Sequence, residues 1–335
     1  MKKQIIAAAV AATMTSVALA DISITGTTKI NYTNSEYDSG KTDNAVKNET
    51  DVKITGKNGD TTVVINLEMD DAGSNAHDAS AAATGGLDVE DVYMTTKVGD
   101  VAIKVGDWDN GNNFIRGSSR TNNQLQLNTN VGPVSLQYNS GHQTADDKIT
   151  VGTDLGPVAV KYVKQNAAGS SDERYEDYEL TASTNIQGVG IAYHLDSNEK
   201  ANSDKTSLEL TGKLGDVGVK FVSIEADSAA SADGDTWAGD FEDTTSGGYK
   251  KQLGADIMAV EFSTTMAGNT VKWIHTEVEA DTNVSSTADA DNNKFIVTRP
   301  LASGATFEAT YTTMDVKGDT ANSGDTLDLE LSVKF

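Results

Sequence analysis

Hydrophobic and polar residues alternate along the last eleven positions of the chain. Leu327, Leu329, Leu331, Val333 and Phe335 fall on one parity, and Thr326, Asp328, Glu330, Ser332 and Lys334 on the other. Successive side chains of a pleated strand point to opposite faces, so the segment predicts a strand with one apolar and one polar face. Its length is about the nine to eleven residues with which a tilted strand crosses a bilayer.

The pattern recurs upstream, each time behind a short turn sequence, usually with Gly. Asn58-Gly59-Asp60 precedes an alternating run over 61–69, Gly99-Asp100 one over 101–105, Gly132-Pro133 one over 134–138, and Gly156-Pro157 one over 158–162. Gln187-Gly188, Gly215-Asp216, Ala267-Gly268-Asn269 and Ser303-Gly304 precede runs over 189–195, 217–221, 270–273 and 305–311. These read as tight hairpin turns, in which Gly supplies a positive φ. At the other strand ends the connections are mostly longer and rich in Asp, Asn, Ser, Gly and Ala: 34–47, 71–86, 110–122, 142–147, 167–177, 198–204, 228–247, 282–292 and 316–324. With 21–33 as the first strand and 325–335 as the last, eight turns and nine loops make eighteen strands. Boundaries read from pattern drift by several residues, so the expected range is 16–18.

An even number puts both chain ends on one side, where the first strand pairs with the last and the sheet loses its edges. The expected fold is all-β: a closed antiparallel up-and-down transmembrane β-barrel with short periplasmic turns and longer extracellular loops. Pro133, Pro157 and Pro300 all sit in or near the turns, where a missing N–H costs the ladder little. Tyr138, Tyr162, Tyr193, Phe221 and Trp273 lie on the apolar parity at a similar distance past their turns. They read either as an interfacial aromatic belt or as ordinary strand residues.

The first twenty residues stand outside this pattern. A basic start at Lys2 and Lys3, an apolar run over 5–17 and Ala18-Leu19-Ala20 make a secretory signal peptide over 1–20, leaving 21–335 as the barrel. The precursor carries a net charge of −24, and loss of Lys2 and Lys3 takes it to −26, which excludes nucleic acid as a partner. With no cysteine the exported chain has no disulfide staples, and 37% hydrophobic residues is lean for a large soluble core. A barrel needs only one apolar face per strand. No apolar run after residue 20 approaches the eighteen residues of a spanning helix.

Together, the leader, the alternating strands, the turn and loop asymmetry and the terminal Ser-Val-Lys-Phe resemble the general porins of Gram-negative outer membranes. The resemblance implies a homotrimer of sixteen-stranded barrels in the cell outer membrane, surrounded by lipid and lipopolysaccharide. Each barrel would hold a water-filled pore for small hydrophilic solutes and ions, narrowed by an inward-folding third loop. It also implies that Phe335 ends the assembly signal read by the barrel-assembly machinery. The count of eighteen is closer to the sugar-specific channels.

By that order the third loop is the segment from Gly106 to Arg120, with the inward fold at about 110–122. Asp107 and Asp109 stand at one end, Arg116 and Arg120 at the other. In the porins it resembles, such acids face an arginine cluster on the wall. Here the only other arginines are Arg174 and Arg299, so Lys29, Lys53 and Lys104, on the polar parity, are expected to stand in at the constriction. The alternative is a solvated surface loop.

Other constellations are weaker. Asp107-Trp108-Asp109-Asn110-Gly111 departs from a calcium loop in the place of its glycine. Ser140 and His142 share a face but have no third partner, and His77, His194 and His275 show no metal-ligand spacing. No catalytic residue, metal or cofactor is expected. Acids crowd the loops, at Glu36, Asp38, Asp43, Asp70, Asp71 and Asp78, over 227–243, and over 281–291. Polar-parity acids at Glu68, Glu179, Glu209, Glu261, Asp328 and Glu330 are balanced by Lys148, Lys161, Lys213, Lys272 and Lys334 with the three lysines above. A ring of mouth acids favours cations. The competing readings are a secreted or surface-anchored β-rich adhesin or layer protein, which has no reason to alternate turns with loops, and a barrel enzyme.

Overall fold

The structure is a computed structural model that describes residues 21–70, 87–109, 120–140, 147–168, 174–198, 203–226, 256–279, 289–320 and 323–335. Eighteen strands follow in order: β1 (Asp21–Tyr37), β2 (Thr42–Asn58), β3 (Thr61–Asp70), β4 (Leu87–Val98), β5 (Val101–Asp109), β6 (Arg120–Val131), β7 (Val134–Ser140), β8 (Lys148–Leu155) and β9 (Val158–Ala168). The second half comprises β10 (Arg174–Ile186), β11 (Val189–Asn198), β12 (Ser203–Leu214), β13 (Val217–Ala226), β14 (Asp256–Met266), β15 (Asn269–Glu279), β16 (Ala290–Pro300), β17 (Ala305–Val316) and β18 (Gly324–Lys334). Each pairs antiparallel with its neighbours in sequence, and β1 pairs with β18, so the sheet closes. The count of eighteen read from turns and loops holds. The sixteen implied by the family resemblance does not.

Turn chemistry explains the regularity of one end. Gly59, Gly99, Gly132, Gly156 and Gly215 hold φ between +59° and +65° and are followed by Asp or Pro, the arrangement of a two-residue turn that opens on a left-handed glycine. Gln187-Gly188 and Ala267-Gly268 hold positive φ at both positions, the mirror-image type I turn. Both kinds twist with the flanking strands and so set the hairpin register.

The opposite end differs from the reading at the first loop. Residues 34–37 and 42–47 continue the ladder (Asn34↔Asn44, Glu36↔Thr42) and leave only 38–41 as a turn. Apart from Val46, polar and small residues dominate both faces here, so no sustained alternation marks the strands, yet their backbone pairs are complete. Backbone bonds join this tall hairpin to the last loop, from Asp38 N–H to Ser323 O at 3.0 Å and from Ser39 N–H to Thr320 O at 2.9 Å. Lys317 donates to Asp289 at 2.9 Å, and that hydrogen bond, aided by the carboxylate charge, raises the lysine above its ordinary value.

The register divides the side chains cleanly. Every large hydrophobic that is exposed within a strand, from Ile22 to Val333, lies on the outward parity. The outer face is therefore an apolar belt, as the alternation predicts. Four aromatics stand in it side by side on neighbouring strands: Phe262, Trp273, Phe295 and Tyr311. Trp273 stacks on Phe262 (centroids 5.7 Å apart) and tilts against Phe295 (6.4 Å). Inside, one sector of the wall is packed with apolar side chains. On the inward parity of β13–β16, Val222, Ile224, Ala259 and Ile274 are buried against Ile257 and Ile296. Val278, Ala290 and Val316 form a second cluster beside them. The segment 1–20, expected to be a signal peptide, lies outside the described residues.

Candidate functional site: the inner wall of the barrel

The wall is zoned by the strands that supply it. From β17 through β1 to β4 it is acidic. Glu308, Asp328, Glu330, Glu49, Asp51, Glu68 and Asp91 all fall on the inward register. Lys29 enters this field and pairs with Glu49 at 2.6 Å. Oxygens of Glu49, Asp51 and Glu68 come within 4.8 Å of one another, because Glu49 and Asp51 are two apart on β2 and Glu68 is the β3 partner of Asp51. Like charges this close favour any cation that reaches them. Lys53 lies next along the same face, opposite Asn66.

Lys104 is held differently. Its ammonium sits 4.0 Å from the Tyr93 ring centroid and 4.2 Å from that of Trp108, and the two rings meet edge to face. Such a contact is worth from about 0.5 kcal/mol to about 2 kcal/mol as it is desolvated. Trp108 reaches this place through a register shift between Gly106 and Trp108. There Gly106 adopts φ +135°, and a Cβ would run into the Val92 carbonyl oxygen and the Tyr93 backbone. Gln124, 3% exposed, donates to the Trp108 carbonyl at 3.2 Å and fixes the kink. The lysine is thereby a positive charge at a defined point on the wall.

This geometry yields a prediction. Gly106→Val should destabilise the barrel by about 1–3 kcal/mol, the usual cost of forcing a side chain into such a backbone region. Gly212→Ala, where a Cβ meets only contacts at 4.0 Å, should stay within about 0.5 kcal/mol of the parent. Equilibrium unfolding in urea reads both, and equal stabilities for the two variants would mean that the Gly106 kink is not required.

Beyond Lys104 the wall is lined by side-chain amides: Gln124, Gln126 and Asn128 on β6 face Asn139 and Gln137 on β7. Further round, acids and bases oppose each other, with Glu209 and Lys220 at 3.3 Å and Glu261 and Lys272 at 3.6 Å. Asp196 and Lys205 are register partners, 3% and 6% exposed. His194 joins this sector, its Nδ1 3.2 Å from the Thr181 hydroxyl.

The residues expected at the constriction divide accordingly. Lys29, Lys53 and Lys104 lie on the inner wall. Asp107 does not join them, since it belongs to β5 and pairs with Val92 on the outward register. Asp109 ends β5 as the backbone partner of Arg120, which begins β6, so 107–109 and 120–122 are strand, not loop. Arg116 and the rest of the segment 110–119 lie outside the described residues, as do the side chains of Asp109 and Arg120. Phe335 sits at the seam, exchanging backbone bonds with Gly26 at 2.8 and 3.0 Å.

Sequence reasoning missed Glu49 and Asp51, which share the parity of Lys53 and were within its reach. It also missed Tyr93 as a partner of Lys104, and the outward group His275, Glu277 and Asp291, which only the β15–β16 register brings together.

No protein-family model and no curated protein sequence matches the chain. Its fold, by contrast, is shared with solved outer-membrane proteins. OccK9 (OpdG) of Pseudomonas aeruginosa superposes with a TM-score of 0.67 at 12% identity, over 94% of this chain and 98% of that one. OccAB3 of Acinetobacter baumannii gives 0.62 at 10%, over 94% and 99%. The outer membrane protein OpdK of P. aeruginosa gives 0.63 at 10%, over 94% and 99%, and OpdK has also been solved with vanillate. The likeness is one of fold. A closed barrel with an apolar outer belt and this fold is an outer-membrane barrel.

Proposed function

We propose that this chain is an outer-membrane channel through which small hydrophilic solutes and ions diffuse, with a preference for cations. The observation that carries the reading is the acidic sector from β17 to β4, where Glu49, Asp51 and Glu68 converge and Lys29 pairs with Glu49. A charged wall of low dielectric concentrates the counter-ion, and the acid-rich loops add to the effect within a Debye length of about 8–10 Å. The positive charges of Arg116 and Arg120 oppose this preference. Three copies assemble, each with its own pore, after the barrel-assembly machinery has read the terminal strand. The adhesin reading loses ground to the closure of the sheet, which leaves a surface protein no strand edge to offer.

The test is the reversal potential across a salt gradient in a planar bilayer. Cation preference is expected at low salt and should shrink as salt rises. The Glu49→Gln, Asp51→Asn, Glu68→Gln triple variant should lower it, and the Arg116→Gln, Arg120→Gln double variant should strengthen it. Anion preference in the parent at low salt would overturn the assignment. An unchanged potential in the arginine variant would remove Arg116 and Arg120 from the ion path.

A further inference from the structure

On the outer face of β15 and β16, the register sets His275 opposite Asn293 and Glu277 opposite Asp291, and β17 adds Asp315 opposite Asp291. These positions stand one rung above the aromatic group, at the loop end of the apolar belt. The imidazole lies over Trp273, with centroids 6.0 Å apart and planes 17° from parallel. Its Nδ1 is 3.1 Å from Asn293 Oδ1, an acceptor that orients the ring by taking the Nδ1 proton. Nε2 is 3.2 Å from Glu277 Oε1, a separation that a shared proton or a common cation can occupy. An imidazole nitrogen and the carboxylates of Glu277 and Asp291 thus converge at the margin of the lipid belt, a set of donor atoms that one cation can share.

We propose that His275, Glu277 and Asp291 bind a divalent transition-metal ion of the zinc class on the lipid-facing wall, clamping β15 to β16. One ligand atom from each residue lies within 4.8 Å of the others, the span needed for a shared ion. One imidazole nitrogen with two carboxylate oxygens is a ligand set that zinc and cobalt accept, and calcium or magnesium would not select for the nitrogen. Asn293 serves as the outer-shell partner that orients the ring, the role such acceptors play behind metal-bound histidines. Three protein ligands leave one position of a tetrahedral ion open to water.

The experiment is a Co2+ titration of the folded full-length barrel in a non-ionic detergent at neutral pH, following visible absorption and Trp273 fluorescence. One saturating equivalent is expected, with quenching that is lost in Trp273→Phe and reversed by Zn2+. Binding should weaken at least tenfold in His275→Gln and in Asp291→Asn. It should persist in His194→Gln, which alters an inward histidine. All variants are first shown to keep heat-modifiable mobility, and Asn293→Ala, which spares the three ligands, should weaken binding less than His275→Gln. Absence of saturable binding by the parent, or binding unchanged in His275→Gln, overturns the proposal and leaves the contact as a plain imidazole–carboxylate hydrogen bond.

Discussion

Phe335→Asp is expected to leave little or no heat-modifiable barrel in the outer membrane. Phe335 is the last rung of the seam, its N–H bonded to Gly26 O at 3.0 Å and its carbonyl to Gly26 N–H at 2.8 Å. Its ring lies across Gly26, where a Cβ would meet the ring itself and the Asp51 carbonyl. The residue is 58% exposed on the outer face, so the substitution removes the apolar cover of the seam and sets a carboxylate among lipid. It also removes the aromatic end of the terminal strand. Phe335→Tyr keeps the ring and should assemble. Immunoblots of unheated and boiled membranes read both, and normal amounts of folded Phe335→Asp would refute this account of closure.

The second large effect tests the two faces. Leu329 points outward, with Tyr32 and Ala309 as its register partners, while Glu330 points inward between Asn31 and Glu308. Leu329→Arg should cost about 2–4 kcal/mol near the bilayer midplane. Leu210→Lys should behave like it. Glu330→Arg and Thr211→Lys, which stay on the wetted face, should cost far less. Folding equilibria in lipid vesicles decide this, and similar losses at adjacent positions would mean that the parity assignment is wrong.

Much of the architecture was legible because it rests on local chemistry. All eight turn sequences sit where strands reverse, since a glycine at positive φ states the backbone geometry of each within a few residues. The last strand could be read because its outer face meets lipid. Strand ends above the belt could not. From Asn34 to Tyr37 both faces are wet, so nothing in the order of residues distinguishes strand from loop. The inner wall was legible only in part for a related reason. Parity places Lys29, Lys53 and Lys104 inside, but what surrounds each depends on pairing across strands. Lys29 meets Glu49 twenty residues away, and Lys104 meets an indole that arrives through a kink at Gly106. Asp107 shows the cost of reading a strand end as loop: it continues β5 in unbroken register with β4, and its place three residues past the inward Lys104 turns it outward.

The seam also bears on the order of folding. Every ladder but one joins strands consecutive in the chain, and the exception ties β1 to β18, with Thr33 and Asp328 hydrogen-bonded across 295 residues. Hairpins nucleate within a few residues and form on a scale of about 1–10 μs, whereas contacts so distant in sequence come late. Joining the ends of a flexible chain of this length would cost about 5 kcal/mol by the logarithmic scaling of loop entropy. A sheet already curved by seventeen hairpin-linked ladders brings the ends together at a smaller cost. Until then it carries two bare edges, β1 and β18, each able to pair with another chain. The first strand made must therefore wait for the last, and the interval between them is when a second molecule, or a catalyst that shields both edges, decides whether the chain becomes a ring or an aggregate.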